Sequence, residues 1–496
     1  MNVLNRFPAL EFALVLTCVI IARLPYLLSD HVFFDGDEAL LGIMARDLWH
    51  LDAFPVYFYG QRYGLAIFEV VATTLFIPFF GSSVLTLKLG GMLLMAVGFW
   101  RLIALVRLHT DSIWIYGLSL IVLVCIPPWT VQDRYMSAFL FSILVFESHF
   151  TKAVWCLKDW IKVMVYLVIV LLAQPLFLLA LLPIMASRLF NKGQFKLAIN
   201  ASIPGAIFLG LMRIPALWNK DHWKPVKMGE IDLANFKHYF IDGFWSHVSG
   251  YFSYSDVYAV PFQVRMGIAG FLLLTTLMLV YSAIKGSRDY RLSMLVLLLC
   301  AISAVIALPF FGVAGARYVL GFHLILLFVV VTMVIEVYRI NKWMLAIVLP
   351  FCIMFLATAQ TGYGKYVSFW FAPELNDMQM LNELHETLEA RNVNHVFVSE
   401  WNLLWQLNYL GEGRIAARMA DGNERIDRFT DRVDGCYLDP NCPYALVGSH
   451  WPLLDMNLVN GWYDRTERLN ERYYIMMDPE DAFLLKGQFE LPEKLP

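Results

Sequence analysis

Charged residues are what this sequence lacks. They make up 16% of its 496 residues, where a soluble domain carries about a quarter. Hydrophobic residues fill 59% and the mean hydropathy is +0.59, so most of the chain belongs in lipid. A basic excess is missing too. The formal net charge of -3 gives no reason to expect a nucleic-acid partner, which needs a concentrated positive surface to displace counterions. No glycine-rich phosphate loop or dinucleotide fingerprint occurs, which removes the usual signature of nucleotide chemistry. Neither an internal repeat nor a low-complexity tract is present. The first apolar run, Phe7 to Leu28 behind Arg6, is not followed by a small-residue cleavage site, so it reads as a retained transmembrane helix.

Cysteine is sparse and divided. Cys18, Cys125, Cys300 and Cys352 fall in apolar runs, Cys156 in a basic loop, and Cys436 and Cys442 in the polar tail. The last two read as a disulfide, which requires an oxidising compartment.

Apolar runs long enough to cross about 30 Å of hydrocarbon lie near residues 9 to 28, 84 to 106, 112 to 130, 266 to 284, 317 to 337 and 343 to 360. Shorter or broken runs lie near 136 to 150, 163 to 187, 197 to 213 and 292 to 310. Basic residues collect in alternate loops: Arg101 and Arg107, then Lys152, Lys158 and Lys162, then Arg188, Lys192 and Lys196, then Lys285, Arg288 and Arg291, then Arg339 and Lys342. The positive-inside rule makes these loops cytoplasmic. The N-terminus is then cytoplasmic, and residues 29 to 83, 131 to 135, 214 to 265, 311 to 316 and everything after about 361 lie on the far side. The expectation is a polytopic α-helical membrane protein of about ten to twelve transmembrane helices, with a transmembrane domain over 1–360 and a soluble domain over 361–496. In that tail the helical stretch Asp377 to Arg391 and the strand-like HVFVSE (395–400) and YALVG (444–448) point to an α/β or α+β domain. The run 163–187 breaks at Gln174-Pro175, which permits one kinked helix or a hairpin returning to the same side.

The richest chemistry lies in the first outer loop, 29–83. Asp35, Asp37 and Glu38 open EALLGIMARDLWHL, an amphipathic helix expected to lie flat on the membrane with Leu40, Leu41, Met44, Leu48 and Leu51 on one face and Glu38, Gly42, Arg46 and His50 on the other. A carboxylate at the membrane boundary can take a proton from a hydroxyl acceptor; alternatively Asp35 or Asp37 caps the helix and Glu38 answers its dipole. Further on, Tyr57, Tyr59, Gln61, Arg62 and Tyr63 form either a grip for a phosphate and a sugar or an interfacial aromatic belt. Arg317 and Tyr318 start a helix at its outer end, where a guanidinium either meets a lipid-linked phosphate or reaches to headgroups. Asp133, Arg134 and Tyr135 occupy a short outer loop as orienting groups or a local ion pair. Arg23 and His323 are ionisable groups inside membrane helices. Arg213, His222, Trp223 and Lys224 are candidates for a lid or acceptor wall.

The order DEALLGIMARDL, FPVYFYGQRYG, GSSVLTLKL and the later ARYVLGFHLILL resembles the bacterial relatives of protein O-mannosyltransferases and of the lipid A aminoarabinose transferase, GT-C superfamily glycosyltransferases that use polyprenyl-phosphate-linked sugars. The resemblance implies a multi-pass protein of a bacterial inner membrane with a periplasmic C-terminal domain. It implies that Asp37 is the general base, with Glu38 completing the Asp-Glu motif and Asp35 beside it. It also implies a polyprenyl-phosphate-sugar donor bound by Arg62, Arg317, Tyr318, Tyr59 and Gln61, and an acceptor that is lipopolysaccharide, another envelope glycan or a protein. Gln61 stands where the aminoarabinose transferases carry Glu, so no obligatory metal or other cofactor is expected. The competing readings are a transporter or flippase for a lipid-linked sugar, which would place polar residues at mid-bilayer, and a non-catalytic scaffold.

Overall fold

The structure, a computed structural model, describes residues 8–27, 32, 34–61, 64–109, 112–124, 135–152, 154–191, 193–218, 378–419, 428–449, 467–470 and 473–477, with isolated helical positions at 277, 280, 284 and 299. Four of the expected runs (266 to 284, 292 to 310, 317 to 337 and 343 to 360) lie outside the described residues apart from those positions. Described residues up to 25 and from 91 to 214 pack as one compact unit; those from 26 to 90 pack with those after 371 as another.

In chain order the helices are α1 (Pro8–Leu27), α2 (Gly36–His50), α3 (Ile67–Thr74), α4 (Ile77–Phe80), α5 (Val84–His109), α6 (Ile113–Val124), α7 (Met136–Thr151), α8 (Leu157–Ala173), α9 (Leu176–Leu189) and α10 (Gln194–Trp218). Two described stretches, Val84–Leu108 and Gln194–Pro215, are long and apolar enough to cross a membrane. On α10 the exposed side chains Ile199, Ile203, Ile207 and Leu211 recur every fourth position, a stripe of the kind that faces lipid.

The helical unit brings its basic ends together. Glu11 near the start of α1 accepts from Trp100 Nε1 at 2.9 Å and pairs with Arg107 at 3.2 Å, and Arg101 pairs with Glu147 near the end of α7. Buried charge is thereby matched where it would otherwise be costly. Arg188, in the last turn of α9, donates through Nη2 to the carbonyls of His149 (2.6 Å) and Lys152 (2.7 Å), satisfying acceptors that the end of α7 leaves open. Trp160, in the first turn of α8, donates to Gln194 at the start of α10 at 2.7 Å. The start of α8 and the end of α9 therefore lie at one end of the bundle. The break at Gln174-Pro175, where Gln174 is extended (φ -153, ψ 97), is a hairpin rather than a kink, and the basic loops on either side of it share a side as the charge alternation requires.

The C-terminal part is α11 (Met378–Ala390), β1 (His395–Val398), α12 (Trp401–Leu410), β2 (Ala416–Met419), α13 (Arg428–Leu438), β3 (Tyr444–Ser449), β4 (Glu467–Arg468) and β5 (Tyr473–Met477). The sheet order is β2-β1-β3-β5-β4. β1 runs parallel to both neighbours, with His395 opposite Ala416 and Tyr444, and β5 returns antiparallel with Ile475 opposite Val447. Helices α12 and α13 make the crossovers that parallel pairing demands, and Val396, Phe397 and Val398 are buried, as a central strand covered on both faces should be. The helix and both strands expected in the tail are present.

Cys436 and Cys442 form a disulfide with a Cα–Cα distance of 5.2 Å. Thiol labelling of intact cells is expected to find both unreactive until a reductant is added, and their joint replacement by alanine should lower stability by about 2 kcal/mol through the lost loop constraint. Free labelling without reductant would contradict the bridge.

Candidate active site

The acidic cluster stands at the head of α2, and its three carboxylates have separate surroundings. Asp35 is the N-cap: its backbone is extended (φ -106, ψ 174) and its Oδ1 accepts the N–H of Glu38 at 2.8 Å, filling one of the four donors that a helix start leaves open. Glu38 reaches the second turn of α5, where Lys88 Nζ sits 2.6 and 2.7 Å from its two oxygens. The pair is sealed, with side chains 3% and 2% exposed. Burial pushes the Glu38 carboxyl up to about 7, Lys88 pulls it back down, and Asp35 adds to the upward push. Asp37, 7% exposed, is the third carboxylate, one residue past the start of the helix.

The surroundings of α2 differ from the expected membrane-surface helix. Gly36 through Ala45 and Asp47 are buried, and only the end, with Trp49 and His50, is exposed. The face read as water-facing is the one that meets the C-terminal domain. Gly42 lies against the ring of Tyr409, so close that a Cβ would come within 2.3 Å of it. Arg46 Nη1 lies 3.5 and 3.4 Å from the carbonyls of Asn408 and Tyr409, capping the C-terminal end of α12 with positive charge. Helix α3 covers α2 from another side, and Thr74 of α3 donates to the carbonyl of Ala45 at 3.1 Å. A helix with small residues at its contact points can be enclosed in this way, whereas periodicity alone reports only that one stripe is more apolar than the other.

The aromatic segment is a tight hairpin. Tyr57 bridges Leu65, Phe58 N donates to Gly64 O, and Gln61 N donates to Phe58 O, each of these bonds at 3.0 Å. Gly60 (φ 68) and Gly64 (φ 76) take the left-handed conformations the turn requires. Gln61 is half-buried near the tip. Tyr59 donates its hydroxyl to Asp47 Oδ2 at 2.6 Å, and the same oxygen pairs with Arg428 at 2.9 Å. Tyr59 is thus tied to the far end of α2, about 15 Å along the axis from Asp37 at ~1.5 Å per residue. The structure groups Asp35, Asp37 and Glu38, and places Tyr59 with Asp47. Tyr135 is buried just before α7 in the helical unit, where Arg23 of α1 is also buried and Arg213 sits on α10. Arg62, Tyr63, Asp133, Arg134, His222, Trp223, Lys224, Arg317, Tyr318 and His323 lie outside the described residues.

Lys88, Asp47, Asn402 and Gln406 are site residues that sequence reasoning passed over. Lys88 carried a signal, being a charge inside an apolar run. The other three carried none, because their partners lie on separate elements. Among the described residues one set of metal-type ligands occurs, His395, Cys436 and Cys442 within 4.8 Å of one another, and its two sulfurs are joined to each other.

The described residues are mainly helical, with a small mixed sheet near the C-terminus and an acidic cluster at the head of a buried helix. Over nearly its whole length the chain is similar to ArnT from Cupriavidus metallidurans: in the apo state the TM-score is 0.58 at 11% identity, covering 98% of this chain and 99% of that one. ArnT from the same source bound to undecaprenyl phosphate matches with a TM-score of 0.55 at 11% identity, covering 98% and 100%. No protein-family profile matches the sequence, and no curated protein sequence does. At this identity the likeness establishes the fold, not the activity.

Proposed function

We propose that this protein is a GT-C-type glycosyltransferase of a bacterial inner membrane that moves a sugar from a polyprenyl-phosphate carrier to a periplasmic acceptor: lipopolysaccharide, another envelope glycan or a protein. The observation that carries this reading is the acidic turn itself, three carboxylates at the head of a buried outer-loop helix, on a fold shared with a protein that binds undecaprenyl phosphate. Asp35 is the helix cap and Glu38 is paired with Lys88; Asp37 is assigned as the general base because it is the first acid of the Asp-Glu motif that carries the family resemblance. It takes the proton of an acceptor hydroxyl, the oxygen attacks the anomeric carbon, and the carbon–oxygen bond to the phosphate breaks with inversion. Arg62 and Arg317 take the departing phosphate, whose charge grows along the reaction. Tyr318 and Gln61 line the donor, Asp133, Arg134 and Tyr135 support it, and no metal is obligatory. The N-terminus is cytoplasmic and the C-terminal domain periplasmic. Mass spectrometry of lipid-linked sugars and envelope glycans in a strain lacking the protein should show an accumulated donor and a missing glycan substituent. Unchanged profiles would overturn the reading.

Arg317→Ala is expected to weaken undecaprenyl phosphate binding to the protein in nanodiscs by about ten- to a hundredfold, the range for a charge-assisted hydrogen bond. Arg317→Lys should recover part of it, keeping the charge and losing the fork. Unchanged affinity in Arg317→Ala would show that the side chain serves only headgroups.

A further inference from the structure

We infer that the C-terminal domain is a working part of the active site, and that Asn402 and Gln406 of α12 are positioning residues for the acidic turn. This rests on the reading of Asp37 as the base. Asn402 Oδ1 accepts the N–H of Gly36 at 3.2 Å, and Gln406 Nε2 donates to the carbonyl of Phe34 at 2.6 Å. The two amides, one helical turn apart on α12, therefore grip the backbone on both sides of Asp35 and fix the bend from which Asp37 projects. Both contacts reach across more than 360 residues of sequence.

The clamp has a rigid base. Asn408 of the same helix donates to the carbonyl of Ala417 and accepts its N–H, both at 2.9 Å, which locks α12 to β2. Tyr409 adds a third tie by donating to the carbonyl of Ser83 at 2.9 Å, just before α5 and its Lys88. Gly36 and Gly42 let α12 come close, since a Cβ at Gly36 would lie 2.9 Å from the Trp401 ring. Gln406 is 3% exposed, and among the described residues its Oε1 has no hydrogen-bond partner. A half-satisfied buried amide is unfavourable for stability; a leucine would remove that orphan oxygen but leave the Phe34 carbonyl without its donor. Orientation of the Phe34 carbonyl is what the amide supplies and leucine does not. Catalysis tolerates little displacement of a base: a shift of about 1 Å lowers rates by ~10²-fold.

The test uses membranes from a deletion strain complemented with full-length protein, which carry their native donor and acceptor, and follows the initial rate of product formation by mass spectrometry. Asn402→Ala and Gln406→Ala should each lower the rate about tenfold at equal protein level, and the double variant about a hundredfold, with unchanged affinity for undecaprenyl phosphate in nanodiscs. Hydrogen exchange in Asn402→Ala should accelerate at Gly36 while amides of α5 keep wild-type protection. Asn402→Asp keeps the acceptor atom and should restore the rate, yet its added carboxylate beside the turn should move the acidic limb of the pH–rate profile to higher pH. Wild-type rates in both alanine variants would overturn the proposal, and so would rate losses that track a loss of protein from the membrane. If the alanine variants slow transfer while Asp37→Asn does not, the clamp stands and the assignment of Asp37 as base fails.

Discussion

Asp37→Asn is expected to lower the rate of sugar transfer by about 10² to 10⁴-fold, the usual cost of losing a general base, while the protein still accumulates in the membrane and still binds undecaprenyl phosphate. The structure makes this substitution a clean probe because it assigns the cap to a different residue. Asp35, not Asp37, accepts the N–H of Glu38, so Asp37→Asn leaves the cap in place and removes a charge near the positive end of the helix, worth about 0.3–1 kcal/mol. Asparagine matches the volume and polarity of aspartate and cannot accept a proton at neutral pH. The control is Asp35→Asn, which keeps a good capping residue and should retain a large share of activity. Asp35→Ala loses the cap and should cost about 0.5–2 kcal/mol of stability. Wild-type turnover in Asp37→Asn, measured with native membranes, would remove Asp37 from the mechanism.

Much of this organisation was legible because membranes impose simple rules. Apolar length and the sorting of basic residues were enough to place Lys152 and Arg188 in loops of the same side, and hydrogen bonds from Arg188 to the carbonyls of His149 and Lys152 put them there. The tail announced itself by composition, and Val396 to Val398 form the buried central strand that a short apolar run bounded by polar residues suggests. The acidic turn was legible as a cluster, but which of its carboxylates caps the helix was not. Asp35 and Asp37 are both good capping residues, and only backbone geometry gives the cap to Asp35. The enclosure of α2 was illegible for a different reason. Gly42 counts as a weak polar-face residue in a periodicity argument, whereas in the fold it is the gap that admits the Tyr409 ring. The tie from the Tyr59 hydroxyl to Asp47, twelve positions earlier, was equally illegible, because nothing in the local sequence pairs the two.

Lys88→Met should change how stability depends on pH, and Glu38→Gln should be the more damaging of the two single substitutions. In the wild type the Glu38 carboxyl is raised by burial to about 7, above its value of about 4.3 in an unfolded chain. A raised acid binds its proton more tightly when folded, so this group's contribution is largest at low pH. It declines by about 1.4 kcal/mol per pH unit between those two values and levels off above about 7, once the carboxylate is ionised in both states. Removing Lys88 takes away a cation that lowers the carboxyl toward that level. In Lys88→Met the folded-state value rises further, Glu38 stays neutral, and the decline continues above pH 7, where the wild type is flat. Near pH 6 the cost is small because a protonated carboxyl needs no counter-charge. Glu38→Gln leaves the Lys88 ammonium buried beside an uncharged amide and should cost up to about 3–5 kcal/mol above pH 7, where the wild-type carboxylate is ionised, the range for a buried pair broken on one side; near pH 6, where the wild-type carboxyl is already largely protonated, the cost should be small. The double variant Glu38→Gln/Lys88→Met removes both charges and should recover a large part of that loss, since replacing a buried pair with neutral groups is often close to neutral. Thermal unfolding of the four proteins in nanodiscs between pH 5 and 9 provides the cycle. Parallel curves for wild type and Lys88→Met above pH 7 would show that the charge of Glu38 is balanced by some other group, and equal melting points for Glu38→Gln and the double variant would show that Lys88 finds water when its partner is gone.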